Sequence, residues 1–120
     1  MSRDFSVADW ADVLDEMRAI LIFHAKQRRT VCYSDLCKLI TSARVHHRAP
    51  HFHKLLDHLS HADDDAGIPS LAALVVRKDS GIPGQGYFAI FQAEGGSPDD
   101  LEAYWRGQFE AVCDYWADRV

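Results

Sequence analysis

The sequence predicts an α+β domain. Apolar residues recur at helical spacing in four segments, two β-prone runs flank a glycine-rich stretch, and Ser, Pro and Gly punctuate the boundaries between them. The first helix is expected from Phe5 to about Arg28, with Trp10, Val13, Leu14, Met17, Ile20, Leu21 and His24 on its inner side. Ser6 suits its start, and Lys26, Arg28 and Arg29 suit its negative C-terminal end. "TVCY", Thr30 to Tyr33, reads as a short β-prone piece, after which Ser34 is expected to cap the short helix "DLCKLI". "TSARVHHRAP" is polar and basic and reads as a connection, with Pro50 opening a third helix. There Phe52, Leu55, Leu56 and Leu59 form an apolar stripe, while His51, Lys54, His58 and His61 fall on a neighbouring face. "ADDDAG" ends that helix at Gly67, its three aspartates reading as a solvated terminus.

Leu71–Arg77 and Tyr87–Gln92 then read as two strands of a hairpin with a long tip, in which Gly81, Gly84, Gly86 and Pro83 make the reversal. A phosphate-binding loop would need a helix directly after the glycines and a Lys–Ser/Thr pair, so that reading is set aside. Ser97, Pro98, Asp99 and Asp100 announce a last helix to about Asp118, with Leu101, Trp105, Phe109, Val112 and Trp116 on one side and Tyr104 and Tyr115 widening it. This broad face either closes the core or meets a partner or second copy.

The length fits a single domain, residues 1–120, with a core of about 30–92 between flanking helices 5–28 and 98–118. Two consecutive helices followed by a hairpin make a winged helix-turn-helix with added N-terminal and C-terminal helices. No apolar run is long enough to span a membrane. The start "MSRDFSVADW" lacks an apolar signal core, so a cytoplasmic location is expected. The cysteines, Cys32, Cys37 and Cys113, are odd in number and read as reduced thiols.

Charge is unevenly placed. From Lys26 to Lys54 there are seven Lys or Arg against one acid, Asp35, a net of +6 that leaves −11 for the rest of a chain of net −5. Such a split suits a surface that meets an anion while the remainder keeps the protein soluble. On the winged-helix arrangement this segment would lie beside Arg77 and Lys78 at the start of the wing.

From Thr30 onward the chain resembles the DNA-binding domain of O6-alkylguanine-DNA alkyltransferases and alkyltransferase-like proteins. The pieces that carry the likeness are "TVCYSDLCKLI", a basic connection and helix, and "LAALVVRKDSGIPGQGY". In that family a Tyr and a short helix precede a recognition helix, and a Pro-Cys-His-Arg motif runs into a Val-Val strand and a glycine-containing turn. Matching Val75 and Val76 to those valines puts Ala72 where the alkyl-accepting cysteine belongs, with Ala73 and Leu74 in place of His and Arg. Alanine has no nucleophile, so alkyl transfer is not expected. The resemblance implies DNA binding, with Tyr33 near a phosphate and Arg48 near the position of the base-replacing arginine.

The resulting expectation is a non-catalytic protein that binds nucleic acid, duplex DNA first. Tyr33, Lys38, Arg44, Arg48, Lys54, Arg77 and Lys78 are its phosphate contacts, and His51 and Lys54 its candidates for base edges. No cofactor and no metal are expected: HExxH is absent, and the histidines read as solvated. No GxSxG elbow is present either. The alternative is a protein-interaction, adaptor or inhibitor module working through the terminal helices, as a homodimer or with another protein, with Tyr104, Trp105, Tyr115 and Trp116 as its contact residues.

Overall fold

The computed structural model describes residues 7–41 and 50–119, with the side chains at 7–9, 50, 51 and 90 left aside. Ser6, Arg44 and Arg48 therefore lie outside the described residues. Among the described residues, five α-helices, two short 3-10 turns and a two-stranded sheet follow one another: α1 (Val7–Lys26), β1 (Val31–Cys32), α2 (Tyr33–Leu39), α3 (Pro50–Ala66), a 3-10 turn (Leu71–Leu74), β2 (Val75–Val76), α4 (Gln85–Ala93), a 3-10 turn (Pro98–Asp100) and α5 (Leu101–Ala117).

Each helix forms where its apolar residues share a face. In α1, Val13, Met17, Leu21 and Ala25 recur every fourth residue and are fully buried. Just past the end of α1 at Lys26, Arg28 has a left-handed φ of 55°, and the Arg29 N–H closes back on the His24 carbonyl at 2.9 Å. In α3, Phe52, Leu55, Leu56 and Leu59 are buried as the stripe predicts. Gly67 (φ 72°) stops the helix, donating to the Asp64 carbonyl. In α5, Trp105, Val112 and Cys113 are buried, and α1 and α5 pack against each other. Full burial of a side chain such as Val112 contributes about 1.5–3 kcal/mol. The Ser97 hydroxyl accepts from Asp99 N–H at 3.2 Å, as the capping sequence predicts, although it caps the short 3-10 turn ahead of α5.

The sheet differs from the expected hairpin. β1 and β2 run parallel, Val31 opposite Val75 and Cys32 opposite Val76. A parallel pair needs a long crossover, which α2, α3 and the first 3-10 turn supply. The expected strand Tyr87–Gln92 lies within α4 instead. Its β-prone residues satisfy a helical contact pattern: Phe88 is buried, Tyr87 meets Phe88 edge-on, and Phe91 stacks on Tyr104 of α5 with ring centroids 4.2 Å apart. Packing against α5 outweighs intrinsic preference here. Of the expected first strand, Leu71–Leu74 is 3-10, capped by the Ser70 hydroxyl, and only Val75–Val76 is extended. The Ser34 cap is also corrected. Ser34 lies inside α2, whose N-cap is Cys32 without a side-chain hydrogen bond.

Asp63 is a further correction, being 1 % exposed rather than solvated. One oxygen accepts from Arg18 Nη1 of α1 at 3.0 Å and the other from Leu71 N–H at 2.9 Å. The carboxylate thus ties α1, the end of α3 and the start of the 3-10 turn together.

Candidate functional site

Two concavities flank the turn that leaves β2. In that turn Arg77 N–H donates to the Ile82 carbonyl at 2.8 Å, and Gly81 N–H donates to the Arg77 carbonyl at 2.9 Å. The reversal needs Gly81, whose φ is 74°. The turn is anchored from below by Tyr33, the first residue of α2, whose hydroxyl accepts the Gly84 N–H at 2.8 Å. Burial pushes the Tyr33 hydroxyl above its ordinary pKa. A Cβ at Gly84 would come within 3.3 Å of that hydroxyl, so the close approach requires glycine or a shift of the ring.

The first concavity is a shallow depression of about 570 Å³ over the outer edge of the sheet. Lys38 from α2 and Arg77 and Lys78 from the turn line it together with His24, and Asp35 is its one acidic lining residue. Lys38 stands 4.0 Å from Asp35, at the limit of an ion pair. Arg77 is held more firmly, donating through Nε at 3.0 Å and Nη2 at 2.8 Å to the two oxygens of Asp79. That fork holds the Asp79 carboxyl below the usual range and raises Arg77 further.

The second concavity is a cleft of about 960 Å³ between α3, α4 and α5. His53, Asp57, Ser60, His61 and Asp64 descend one wall on α3, Tyr87 comes from α4, Glu94 from the turn just after it, and Tyr104 from α5. Ala72, which stands at the position of the alkyl-accepting cysteine in the resemblance, lines it too. Burial raises the Tyr104 hydroxyl, and the Glu94 and Asp64 carboxylates raise it further, so both carboxylates act on one end of this cleft. Burial and then Tyr104 raise Tyr87 as well.

Of the expected phosphate contacts, Lys38, Arg77 and Lys78 come together at the depression, and Tyr33 stands beneath the turn that carries two of them. Lys54 is exposed on α3 and lines neither concavity. His51 belongs to α3, but its side chain is outside the described set. The expected polar face of α3 divides: His58 lies edge-on to Trp10 of α1, with centroids 5.5 Å apart, while His61 turns to the cleft. Arg28, another cation of the basic segment, is occupied by Glu110 and Asp114 of α5. A strand is expected after the glycines, where a phosphate loop would have a helix. A helix does begin there, at Gln85, although the Lys–Ser/Thr pair is still missing from the sequence.

The aromatic residues of the interaction alternative separate in the same way. Trp105 is buried, and its indole Nε1–H donates to the Ala73 carbonyl at 2.7 Å. Tyr104 belongs to the cleft. Tyr115 carries the Arg119 guanidinium over its ring at 3.8 Å and meets Trp116 edge-on. Trp116 is half-buried, its Nε1–H without a hydrogen-bond partner among the described residues.

Burial pushes the Cys37 thiol up to about 12 and is the main cause raising that of Cys113. Among the described residues no three His, Cys, Asp or Glu stand close enough to hold a metal ion, and no helix is long and apolar enough to cross a membrane. The residues missed by sequence reasoning are those of the cleft: Tyr87, Glu94 and the α3 carboxylates acting together. The spacing of His53, Asp57, His61 and Asp64, each three or four residues from the next, was the available signal.

No protein-family model matches the chain, and no curated protein and no solved structure matches it.

Proposed function

We propose that the chain is a non-catalytic nucleic-acid-binding module that meets a phosphate backbone across the depression over the β1–β2 edge. The observation that carries this reading is the convergence of Lys38 and Lys78, from two separate elements, on one open surface, beside an Arg77 that Asp79 holds. Lysines reaching phosphate from a rigid helix and a hydrogen-bonded turn position a duplex without reading its sequence. In this reading α2 and α3 form the helical pair of a winged-helix variant, and the Arg77–Gly84 turn stands where a wing would. The order of Tyr33, short helix, long helix, Val-Val strand and glycine-containing turn, which is also that of the alkyltransferase-like domain, supports it. Ala72, where the resemblance puts the alkyl-accepting cysteine, argues against alkyl transfer, and burial makes the Cys37 thiol a poor nucleophile. The interaction alternative loses Trp105 to the core and Tyr104 to the cleft, leaving Tyr115 and Trp116.

The test is a mobility-shift titration with duplex DNA at two salt concentrations. Lys38 and Lys78 contacting about two phosphates predict roughly twelvefold weaker binding when salt rises about fourfold. Lys38→Glu with Lys78→Glu should weaken binding by about tenfold or more at low salt. Binding insensitive to salt and to both charge reversals would refute the proposal. Arg44→Glu and Arg48→Glu test the contribution expected of the basic connection.

A further inference from the structure

We propose that the cleft between α3, α4 and α5 binds an extended organic polyamine, a function separate from the phosphate-facing depression and of opposite charge. The cleft is of ligand size, about 960 Å³. Its walls combine two kinds of group that suit an alkylammonium ion. Tyr87 and Tyr104, with ring centroids 6.3 Å apart, supply aromatic rings, one face of Tyr104 being covered by Phe91, and such rings attract cations through their quadrupoles. Asp57 and Asp64 supply carboxylates from α3, and Glu94 supplies one from the turn after α4.

None of the three carboxylates has an ion-pair partner among the described residues, although Asp35, Asp63, Asp79, Glu102, Glu110 and Asp114 all do. The one arginine lining the cleft, Arg77, is bound by both of its donor edges to Asp79. The cleft therefore presents carboxylates and tyrosines to solvent with its arginine already engaged, an arrangement complementary to a positive ligand.

Spacing selects the ligand's length. Asp57 and Asp64 are seven positions apart on one helix, a rise of about 10 Å at about 1.5 Å per residue, and both line the same wall. Glu94 acts with Asp64 at the Tyr104 end, as their joint effect on that hydroxyl indicates. A flexible chain with ammonium groups at both ends reaches from Asp57 to the Asp64–Glu94 pair. Its methylenes would lie along the apolar floor, where Leu56 and Val75 also line the cleft. A short diamine reaches one pole only, and a single quaternary ammonium reaches one pole without donating a hydrogen bond.

The experiment is isothermal titration calorimetry of the full chain, without nucleic acid, against spermidine, putrescine and tetramethylammonium. Spermidine is expected to bind one to one and about tenfold more tightly than putrescine, the difference one further charge-assisted contact makes. Asp57→Asn should bring spermidine to the level of putrescine, and Asp64→Asn with Glu94→Gln should weaken both. These residues are exposed, and circular dichroism checks that the variants keep their fold. Lys38→Glu with Lys78→Glu should leave spermidine binding intact, separating this site from the phosphate-facing depression. Equal affinity for spermidine and putrescine would overturn the proposal, as would many-to-one binding unchanged by the cleft substitutions.

Discussion

Replacing Trp105 distinguishes a core indole from a partner contact. Trp105 is 7 % exposed and its Nε1–H meets the Ala73 carbonyl at 2.7 Å, so it both fills the space between α5 and the first 3-10 turn and pairs a backbone acceptor. Truncation to alanine should cost about 3–5 kcal/mol, the usual range for removing a buried aromatic. A domain of 120 residues has a total stability of about 6–18 kcal/mol, so the loss is a large fraction of it. With an unfolding entropy of about 0.25 kcal/mol/K for this length, the midpoint should fall by about 12–20 °C. Trp105→Phe keeps most of the apolar contact and removes the donor, which should cost about 1–2 kcal/mol and about 4–8 °C. Trp116→Phe is the control. Its indole N–H has no described partner to lose, and the change should cost less than about 1 kcal/mol. The assay is thermal and urea unfolding followed by far-ultraviolet circular dichroism. A Trp105→Ala protein as stable as the parent would refute the core assignment and restore this residue to the interaction surface.

Asp63→Ala should destabilise by about 1–3 kcal/mol in urea unfolding, because it leaves the Leu71 N–H without its acceptor; Arg18, 31 % exposed, can turn to water. Cys37, with its thiol near 12, should hold only about one part in ten thousand as thiolate at pH 8, so a disulfide reagent should label it slowly in the native protein and rapidly in urea. The same shift sets an alkaline limit. The Cys37 pKa is raised from 9.0, so the unfolded chain releases the proton first; stability is intact below about pH 9 and falls as pH climbs towards 12. Burial of Tyr33, Tyr87 and Tyr104 acts in the same direction, and a thermal midpoint that rose between pH 9 and 11 would contradict this.

What was legible in the sequence was whatever local chemistry specifies. The stripes of α1, α3 and α5, the Pro50 start, the Gly67 stop and the Ser97 cap depend on neighbours within a turn or two, and each is where the spacing puts it. The Tyr87–Gln92 segment misled because its residues favour strands when considered alone. They become helical once Phe88 has a core and Phe91 has Tyr104 to stack on. Asp63 misled likewise: three aspartates in a row read as solvent-exposed, and only Arg18, 45 residues earlier, shows that one of them is buried.

By itself the sequence determined a helical framework, a positive middle within a negative chain and the lack of a cysteine at Ala72. The tertiary structure decided that β1 and β2 pair in parallel, that Arg77 spends its charge on Asp79, and that carboxylates from α3 and from the turn after α4 line one cleft with the tyrosines of α4 and α5. Helical periodicity is a property of residues three and four apart, whereas a site's charge is the sum over side chains that only folding brings together.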